Sequence, residues 1–205
     1  MIYIFDAPGS ITPEEEQLLL AALPEQRLKK ALAYRQRIDR LCCAAAYRLL
    51  CCGLEREYGI TAFTLREGER GKPYLPEHPQ IHFNLSHCRE GCACILSDAP
   101  AGIDIQDRVT VSERVRREVC TDNELTKIAM SPDPEGEFFR IWTEKEAYLK
   151  MLGLGITGGL KSHDTTLLRP HIASRDFGRY TLAAAKENSA GELERLINSP
   201  VTVTA

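Results

Sequence analysis

The spacing of apolar residues changes period along this chain, and that change limits the folds it can adopt. Apolar side chains recur at helical spacing over residues 38–52 and again over 135–152. Residues 81–86 and 102–106 alternate apolar and polar side chains as strands do, and residues 92–96 form a short apolar run between them. Helices and strands occur in both halves, so the pattern predicts an α+β fold.

Shorter signals add detail to this outline. A helical pattern begins after Thr12 and covers residues 13–34, with Pro24 interrupting it. The pattern from residue 38 predicts a helix that ends at Gly53. Residues 111–130 predict more helix in the second half, and strand-like residues continue to about position 185.

Charge and length exclude several classes of protein. The 205 residues suffice for one domain or two small ones, and for a core that needs neither metal nor disulfide. A net charge of −3 argues against bulk binding to nucleic acid. The first residues read as a strand rather than a secretory signal, and no apolar run approaches the ~20 residues of a membrane helix. We therefore expect a cytoplasmic protein that binds neither nucleic acid nor membrane.

Eight cysteines raise the question of disulfides or zinc. No CxxC spacing occurs among them. Cys88, Cys92 and Cys94 beside His87 are a candidate zinc set, although their spacing matches no common zinc framework. Free thiols that pack as small apolar side chains are the simpler interpretation, with zinc as the alternative.

Asp104 is the first candidate for chemistry. Strand alternation places it on one face with Gly102 and Gln106, while Ile103 and Ile105 occupy the other face. Packing of the two isoleucines in a core would hold the carboxylate toward a cleft. Aspartate is disfavoured in strands, so its presence needs a reason, and a solvated strand end is the simplest one.

Glu146 and Lys150 are the second candidates, because they lie four residues apart and share one helix face. An ordinary surface ion pair, worth ~0.3–0.5 kcal/mol, would also explain them. Magnesium is usually bound by one or two carboxylates together with substrate phosphates. Asp104 and Glu146 could supply that pair and Lys150 could face a diphosphate, but spacing alone does not show that they meet.

Three sequence motifs, which follow one another along the chain in the family's order, resemble those of the Sfp-type 4′-phosphopantetheinyl transferases. Residues 102–106, G-I-D-I-Q, resemble the family's G-x-D-x-E, and residues 142–150, W-T-E-K-E-A-Y-L-K, resemble its W-x-x-K-E-A/S-x-x-K. The third motif is G-K-P at residues 71–73, followed by N-L-S-H at residues 84–87. Gln106 departs from the family's second acidic position, which implies a metal site with two carboxylates and weaker affinity.

The resemblance implies a two-lobed architecture. The family has two similar α+β lobes related by pseudo-two-fold symmetry, with the active site at their interface. Residues 1–101 would form the lobe that contacts the nucleotide of coenzyme A. Residues 102–205 would form the lobe with the metal site and the catalytic helix. One chain would then complete the cleft, so a monomer is expected.

The resemblance also implies an activity. Such an enzyme transfers the 4′-phosphopantetheine group of coenzyme A to a serine of an apo acyl or peptidyl carrier protein and releases adenosine 3′,5′-bisphosphate. Asp104 and Glu146 would bind Mg²⁺, with a weaker contribution from Gln106. Glu146 would also act as general base, and Lys150 would stabilise the developing charge. The side chains expected to contact coenzyme A are Lys29, Arg40, Lys72, Ser86, His87 and Lys150.

Two other functions fit the same residues. The carboxylate pair and the lysine could serve a magnesium-dependent diphosphate hydrolase that acts on coenzyme A with water as acceptor. Alternatively, Gln106 could mark a decayed site in a non-catalytic module that binds carrier proteins. Release of phosphopantetheine without a carrier would favour the first, and carrier binding without transfer would favour the second.

Overall fold

The computed structural model describes residues 1–68, 70–155 and 159–204. The helices in this part of the chain are α1 Pro13–Ala21, α2 Glu25–Leu32, α3 Arg37–Tyr58, α4 Glu113–Val119, α5 Asp122–Met130, α6 Pro134–Leu152, α7 Thr165–Leu168 and α8 Ala190–Asn198. The strands are β1 Ile2–Asp6, β2 Arg66–Glu67, β3 Pro73–Tyr74, β4 His82–His87, β5 Gly91–Ser97, β6 Ala101–Asp107, β7 Ile172–Asp176, β8 Tyr180–Lys186 and β9 Val201–Thr202. The predicted α+β class is confirmed.

The first sheet has the strand order β4-β5-β1-β9. Its strands pair antiparallel except for β9, which runs parallel to β1. Helix α3 covers one face, and a core of apolar side chains such as Tyr3, Leu50 and Leu96 fills the space between them. The last strand of the chain therefore pairs with the first.

The second sheet has the order β6-β8-β7 and is antiparallel throughout. One face packs against the first sheet and α8 through buried side chains that include Ile4, Ile95 and Ile103. Helix α6 covers the other face, where Ala147 and Met151 contact Ala183. The alternation of β6 thus separates a core face from a face directed at α6.

The prediction that the long helix ends at Gly53 is wrong. Helix α3 continues to Tyr58, and Gly59 ends it in the left-handed conformation at φ 67°. Gly53 instead marks close packing, because a Cβ there would lie 2.2 Å from the Leu96 side chain. A glycine that permits contact and a glycine that ends a helix look alike in sequence.

The helical stretch predicted over 111–130 is divided into α4 and α5. Ser112 and Thr121 cap the two helices, and Thr121 forms a capping box with Glu124. In the described part of the chain, none of the helices has the length and apolar character needed to cross a membrane.

Candidate active site

Asp104 lies at the centre of β6, on the face covered by α6. Its neighbours Ile103 and Ile105 are fully buried on the core face, while Asp104 itself is 2 % exposed. Gly102 permits the close approach of the helix, since a Cβ there would lie 2.0 Å from the carbonyl oxygen of Ala147. The strand therefore holds the carboxylate in a defined position beneath α6.

Lys150 and Ser86 meet Asp104 at one carboxylate oxygen. Lys150 Nζ donates to Asp104 Oδ1 at 2.6 Å and to Ser86 Oγ at 2.9 Å. Ser86 Oγ in turn donates to Asp104 Oδ1 at 2.8 Å. One side chain each from β4, β6 and α6 therefore forms a connected cluster, and both bonds leave Asp104 Oδ2 free.

Side chains of β4 join it to β6, although the two strands belong to different sheets. Asn84 Oδ1 accepts a hydrogen bond from the Ile103 amide at 2.9 Å, and Ser86 Oγ accepts one from the Ile105 amide at 3.4 Å. Residues two apart on a strand point the same way, so the N-x-S spacing matches the amides along β6. These two residues connect the sheets where the candidate site lies.

Glu146 lies one helical turn before Lys150 and is 5 % exposed. Burial raises the pKa of its carboxyl group, the charge of Asp104 raises it further, and Lys150 has the opposite effect. Glu146 Oε1 and Asp104 Oδ2 are both buried without a hydrogen-bond partner. Two carboxylates brought together in this way are stabilised by a cation between them.

The donor set fits a hard divalent cation such as Mg²⁺, because both unpartnered atoms are carboxylate oxygens. Within the described residues, no three or more His, Cys, Asp or Glu side chains are grouped so that they could hold a metal. Substrate oxygens or water would have to complete the coordination shell. Gln106, two residues beyond Asp104 on β6, is half-buried and lies opposite Thr181 of β8.

His87 is the last residue of β4 and packs edge-on against the ring of Tyr34, with 6.2 Å between ring centroids. Burial lowers the pKa of its imidazole, and the positive charges of Lys150, Arg27 and Lys30 lower it further. Three cations therefore act on the imidazole, against one carboxylate, that of Asp39. A bound anion such as phosphate would favour its charged form and restore the pKa.

Lys72 occupies a different environment from the one proposed from the sequence. Its Nζ donates to the carbonyl oxygens of Ala101, Lys150 and Met151 at 3.2, 2.6 and 3.1 Å. Burial lowers the pKa of this ammonium. In this structure Lys72 joins the loop before β3 to the end of α6, and it is not part of the Asp104 cluster.

Lys29 and Arg40 also bind protein groups. Lys29 is 75 % exposed and pairs with Glu25 one turn earlier at 2.6 Å. Arg40 donates to the carbonyl oxygens of Tyr34 and Arg35, which connect α2 to α3. The structure therefore does not bring these two residues to the cluster at Asp104.

The sequence analysis did not predict a site role for Arg27 and Lys30, the basic residues of α2 whose charges act on His87. Arg27 and Lys30 line a small cavity of about 110 Å³ together with Gln26 and with Pro73 of β3. The spacing 26, 27, 30 is that of one helix face, so helical periodicity applied to the basic residues would have separated Arg27 and Lys30 from Lys29.

The part of the chain that carries this site is similar to a known family. A sequence profile of the 4′-phosphopantetheinyl transferase superfamily matches residues 100–196, which include Asp104, Glu146 and Lys150. The matched part of the chain, just under half of its length, is similar to the 4′-phosphopantetheinyl transferase superfamily. The profile begins just before β6 and ends within α8. The motifs at residues 71–73 and 84–87 lie outside the match.

Individual members of the superfamily cover more of the chain. A 4′-phosphopantetheinyl transferase of Bacillus subtilis is 27 % identical over 157 residues, which are 75 % of this chain and 70 % of that protein. The transferase Sfp of Bacillus subtilis strain 168 is 24 % identical over 161 residues, which are 77 % of this chain and 72 % of Sfp. The transferase AcpT of Escherichia coli strain K12 is 40 % identical over 105 residues, which are 48 % of this chain and 53 % of AcpT.

Lys145 lies in the motif at residues 142–150 of α6 but faces away from the candidate site at Asp104. It is fully buried, and its Nζ donates to Glu124 Oε2 at 2.5 Å and to the Val119 carbonyl at 2.8 Å. Glu124 also accepts from the backbone amides of Thr121 and Thr165. Lys145 therefore ties α6 to α4 and α5, and Glu124 extends the connection to α7.

The cysteines are all free thiols, and Cys42, Cys92 and Cys94 are buried. Cys42 Sγ donates to the carbonyl oxygen of Cys88 at 3.2 Å. His87, Cys88, Cys92 and Cys94 all lie within the described residues, where no metal-binding group of this kind is found. In this structure Cys42, Cys92 and Cys94 pack in the core between α3 and the first sheet, and Cys120 packs in the core beneath α4, α5 and α6.

Proposed function

We propose that this protein transfers the 4′-phosphopantetheine group of coenzyme A to a serine hydroxyl of an apo acyl or peptidyl carrier protein. The observation that supports this most directly is the pair of unpartnered carboxylate oxygens, Asp104 Oδ2 and Glu146 Oε1, beside the Lys150 ammonium. Two acceptors for a cation and one fixed positive charge match the needs of a diphosphate substrate. Similarity to the transferase superfamily over residues 100–196 supports the reaction class.

We propose that Asp104 and Glu146 hold a Mg²⁺ ion and that Gln106 contributes weakly through its amide oxygen. The ion would neutralise negative charge on the diphosphate of coenzyme A. Having only two carboxylates, the protein would bind the metal weakly until the substrate phosphates complete its shell. Metal and coenzyme A should therefore bind with positive cooperativity.

The transfer step requires one proton acceptor and one stabilised leaving group. The carrier serine oxygen forms a bond to the β-phosphorus, while the bond from that phosphorus to the bridging oxygen breaks. The leaving group is adenosine 3′,5′-bisphosphate. Glu146, directly or through a water, accepts the serine proton, a role for which its position beside the proposed diphosphate site suits it. Lys150, which is held beside Asp104, would stabilise negative charge on the leaving phosphate.

The nucleotide end of coenzyme A would bind on the side of β4 and α2. We propose that Ser86 and His87 contact its phosphates, and that Arg27 and Lys30 contribute charge from the neighbouring cavity. Lys72 and Arg40 would act by holding the surrounding backbone, since their side chains already bind carbonyl oxygens. Lys29 would join only by exchanging its exposed pair with Glu25 for a phosphate.

We also propose that the protein acts in the cytoplasm as a monomer. Its cysteines are all free, as is common in a reducing compartment. The cluster of Ser86, Asp104 and Lys150 is assembled within one chain, so no second copy is needed to complete it.

The test of this function is the intact mass of a purified apo carrier protein after incubation with the protein, coenzyme A and Mg²⁺. Addition of one phosphopantetheine group, abolished by EDTA and restored by excess Mg²⁺, is the expected result. Acyl and peptidyl carriers should both be tried. Release of phosphopantetheine in the absence of any carrier would identify a hydrolase instead. Carrier binding with no mass gain at any Mg²⁺ concentration would identify a binding module.

Replacement of His87 by alanine should weaken coenzyme A binding more than it slows transfer. A hydrogen bond to a charged group contributes enough that we expect the KM for coenzyme A to rise about tenfold. His82→Ala is the matched control, because His82 begins the same strand at the end away from the Asp104 cluster. Steady-state kinetics with varied coenzyme A separate the two parameters. An unchanged KM in His87→Ala would remove this residue from the site.

A further inference from the structure

Buried polar atoms without a partner are concentrated beneath and beside α6. Among the described residues, five of the six such side-chain atoms lie along α6 and the strands β6 and β8, or directly after β6. They are Asp104 Oδ2, Glu146 Oε1, Glu144 Oε2, Thr181 Oγ1 and Arg108 Nε. The first two belong to the proposed metal site. The other three are unused by the mechanism, and unpartnered buried groups of this kind cost about 1–3 kcal/mol each unless something binds them.

Thr181 lies in the row of residues next to Asp104. Asp104 pairs with Ala183 across β6 and β8, and Gln106 pairs with Thr181. Paired side chains project to the same face, so Thr181 shares the α6 face with the carboxylate. The two rows are separated by two residues, or roughly 7 Å along the strands. The unpartnered hydroxyl thus lies one step from the diphosphate site.

A cavity of about 240 Å³ opens at this second row, lined by Thr181, Arg108, Arg140, Ser174 and Asp176, among others. One water molecule takes up about 30 Å³ in the liquid, so the cavity admits a larger group. It lies at the edge of the same helix–sheet interface that holds Asp104 and Glu146.

The charged side chains that line this cavity are already in ion pairs, except Arg175. Arg108 binds Asp133 at 2.8 Å and also binds Asp176. Arg140 binds Glu137 and Glu144, each at 2.6 Å. No guanidinium lining the cavity is left for another phosphate, apart from Arg175, which stacks on an aromatic ring. The cavity therefore suits an uncharged polar ligand.

The hydrogen-bonding capacity that remains among the lining residues includes one donor and one hydroxyl group. Glu144 does not line the cavity itself, but its Oε1 accepts hydrogen bonds from the lining residues Arg140 and Ser174 and so holds both in place. Arg108 Nε is a donor without a partner, and Thr181 Oγ1 can both donate and accept a hydrogen bond. Amide and hydroxyl groups present the matching donors and acceptors.

We propose that this cavity binds the amide- and hydroxyl-bearing arm of the donor while its diphosphate lies at Asp104 and Glu146. This inference rests on the proposed function, because the arm is the part of coenzyme A that continues from the β-phosphate. The arm carries a hydroxyl group next to an amide, followed by a second amide. Thr181 is the specificity-determining residue, since it lies closest to the diphosphate row.

The experiment measures the dissociation constants of two donors by isothermal titration calorimetry in the presence of Mg²⁺. Coenzyme A has the arm, whereas adenosine 3′-phosphate 5′-diphosphate has the same nucleotide and diphosphate without it. Thr181→Val removes the hydroxyl and keeps the shape, and Thr181→Ser keeps the hydroxyl. We expect Thr181→Val to raise the dissociation constant of coenzyme A about tenfold and to change that of adenosine 3′-phosphate 5′-diphosphate by less than twofold. Thr181→Ser should bind both ligands as the wild type does.

A folding measurement makes the result interpretable. Removal of an unpartnered buried hydroxyl should leave the melting temperature of the free protein unchanged or raise it. Equal affinities of wild type and Thr181→Val for coenzyme A would overturn the proposal, as would equal weakening of both ligands. A higher KM for the carrier with unchanged coenzyme A affinity would assign the cavity to the carrier and also overturn it. If the wild type binds neither nucleotide, the proposed function itself fails, which is a distinct outcome.

Discussion

Glu146→Gln should fold as the wild type does and lose transfer almost completely. Glutamine keeps the shape and one carbonyl oxygen but can neither accept the serine proton nor contribute a negative charge to the metal. Loss of general-base catalysis alone lowers the rate by about 10²–10⁴-fold, so we expect at least a 10³-fold decrease in kcat with the metal effect included. The rate of carrier mass gain under saturating coenzyme A and Mg²⁺ measures it.

The stability of Glu146→Gln provides the control for folding. The pKa of Glu146 is raised in the folded protein, so its ionised form is destabilising, and wild-type stability should fall as the pH rises through that pKa. Glutamine does not titrate, and this part of the pH dependence should disappear. Urea unfolding of the metal-free proteins between pH 4 and 8 tests both statements. Near-wild-type transfer by this variant would refute the assignment of Glu146.

Asp104→Asn should also abolish transfer, but its effect has more than one cause. Asp104 Oδ1 accepts hydrogen bonds from both Lys150 and Ser86, so asparagine would leave the Lys150 ammonium without its counter-charge. A loss of stability would then accompany the loss of metal binding. Glu146 has an unpartnered oxygen and no hydrogen bond to the cluster, which makes its replacement the cleaner measurement.

The residues of the candidate site could be predicted because they lie in regular elements with one dominant pattern. The alternation of β6 places Ile103 in the core and Asp104 on the opposite face, as expected from the sequence. The four-residue spacing of Glu146 and Lys150 places both on the side of α6 that meets β6. Their proximity to Asp104 could not be read from spacing, because it depends on how closely α6 approaches Gly102.

Roles were harder to predict for the other residues, because side chains with different roles can have the same local sequence pattern. A lysine on an exposed helix face and a lysine facing a cavity differ by one position, as Lys29 and Lys30 do. Lys72 was expected to contact the nucleotide, yet its ammonium binds three carbonyl oxygens that are distant in sequence. Tertiary hydrogen bonds of this kind leave no local pattern.

Lys145→Met should destabilise the protein more than any substitution at its surface. Lys145 and Glu124 are both fully buried and joined at 2.5 Å, so the variant leaves a carboxylate in the core without its counter-ion. Removing one partner of a buried pair typically costs 3–5 kcal/mol, which corresponds to a melting temperature lower by roughly 10 °C at this chain length. Chemical denaturation gives the free energy of unfolding directly.

The double variant Lys145→Met, Glu124→Gln separates the loss of the ion pair from the loss of packing. With the buried charge removed, glutamine can still accept from the amides of Thr121 and Thr165, and most of the lost stability should return. Transfer activity below the melting transition should survive in both variants, because Lys145 lies on the side of α6 away from Asp104. Loss of transfer without loss of stability would instead place Lys145 in catalysis. Its position in the motif would then reflect the reaction, whereas the buried pair indicates that this lysine fixes α6 so that Glu146 and Lys150 meet β6.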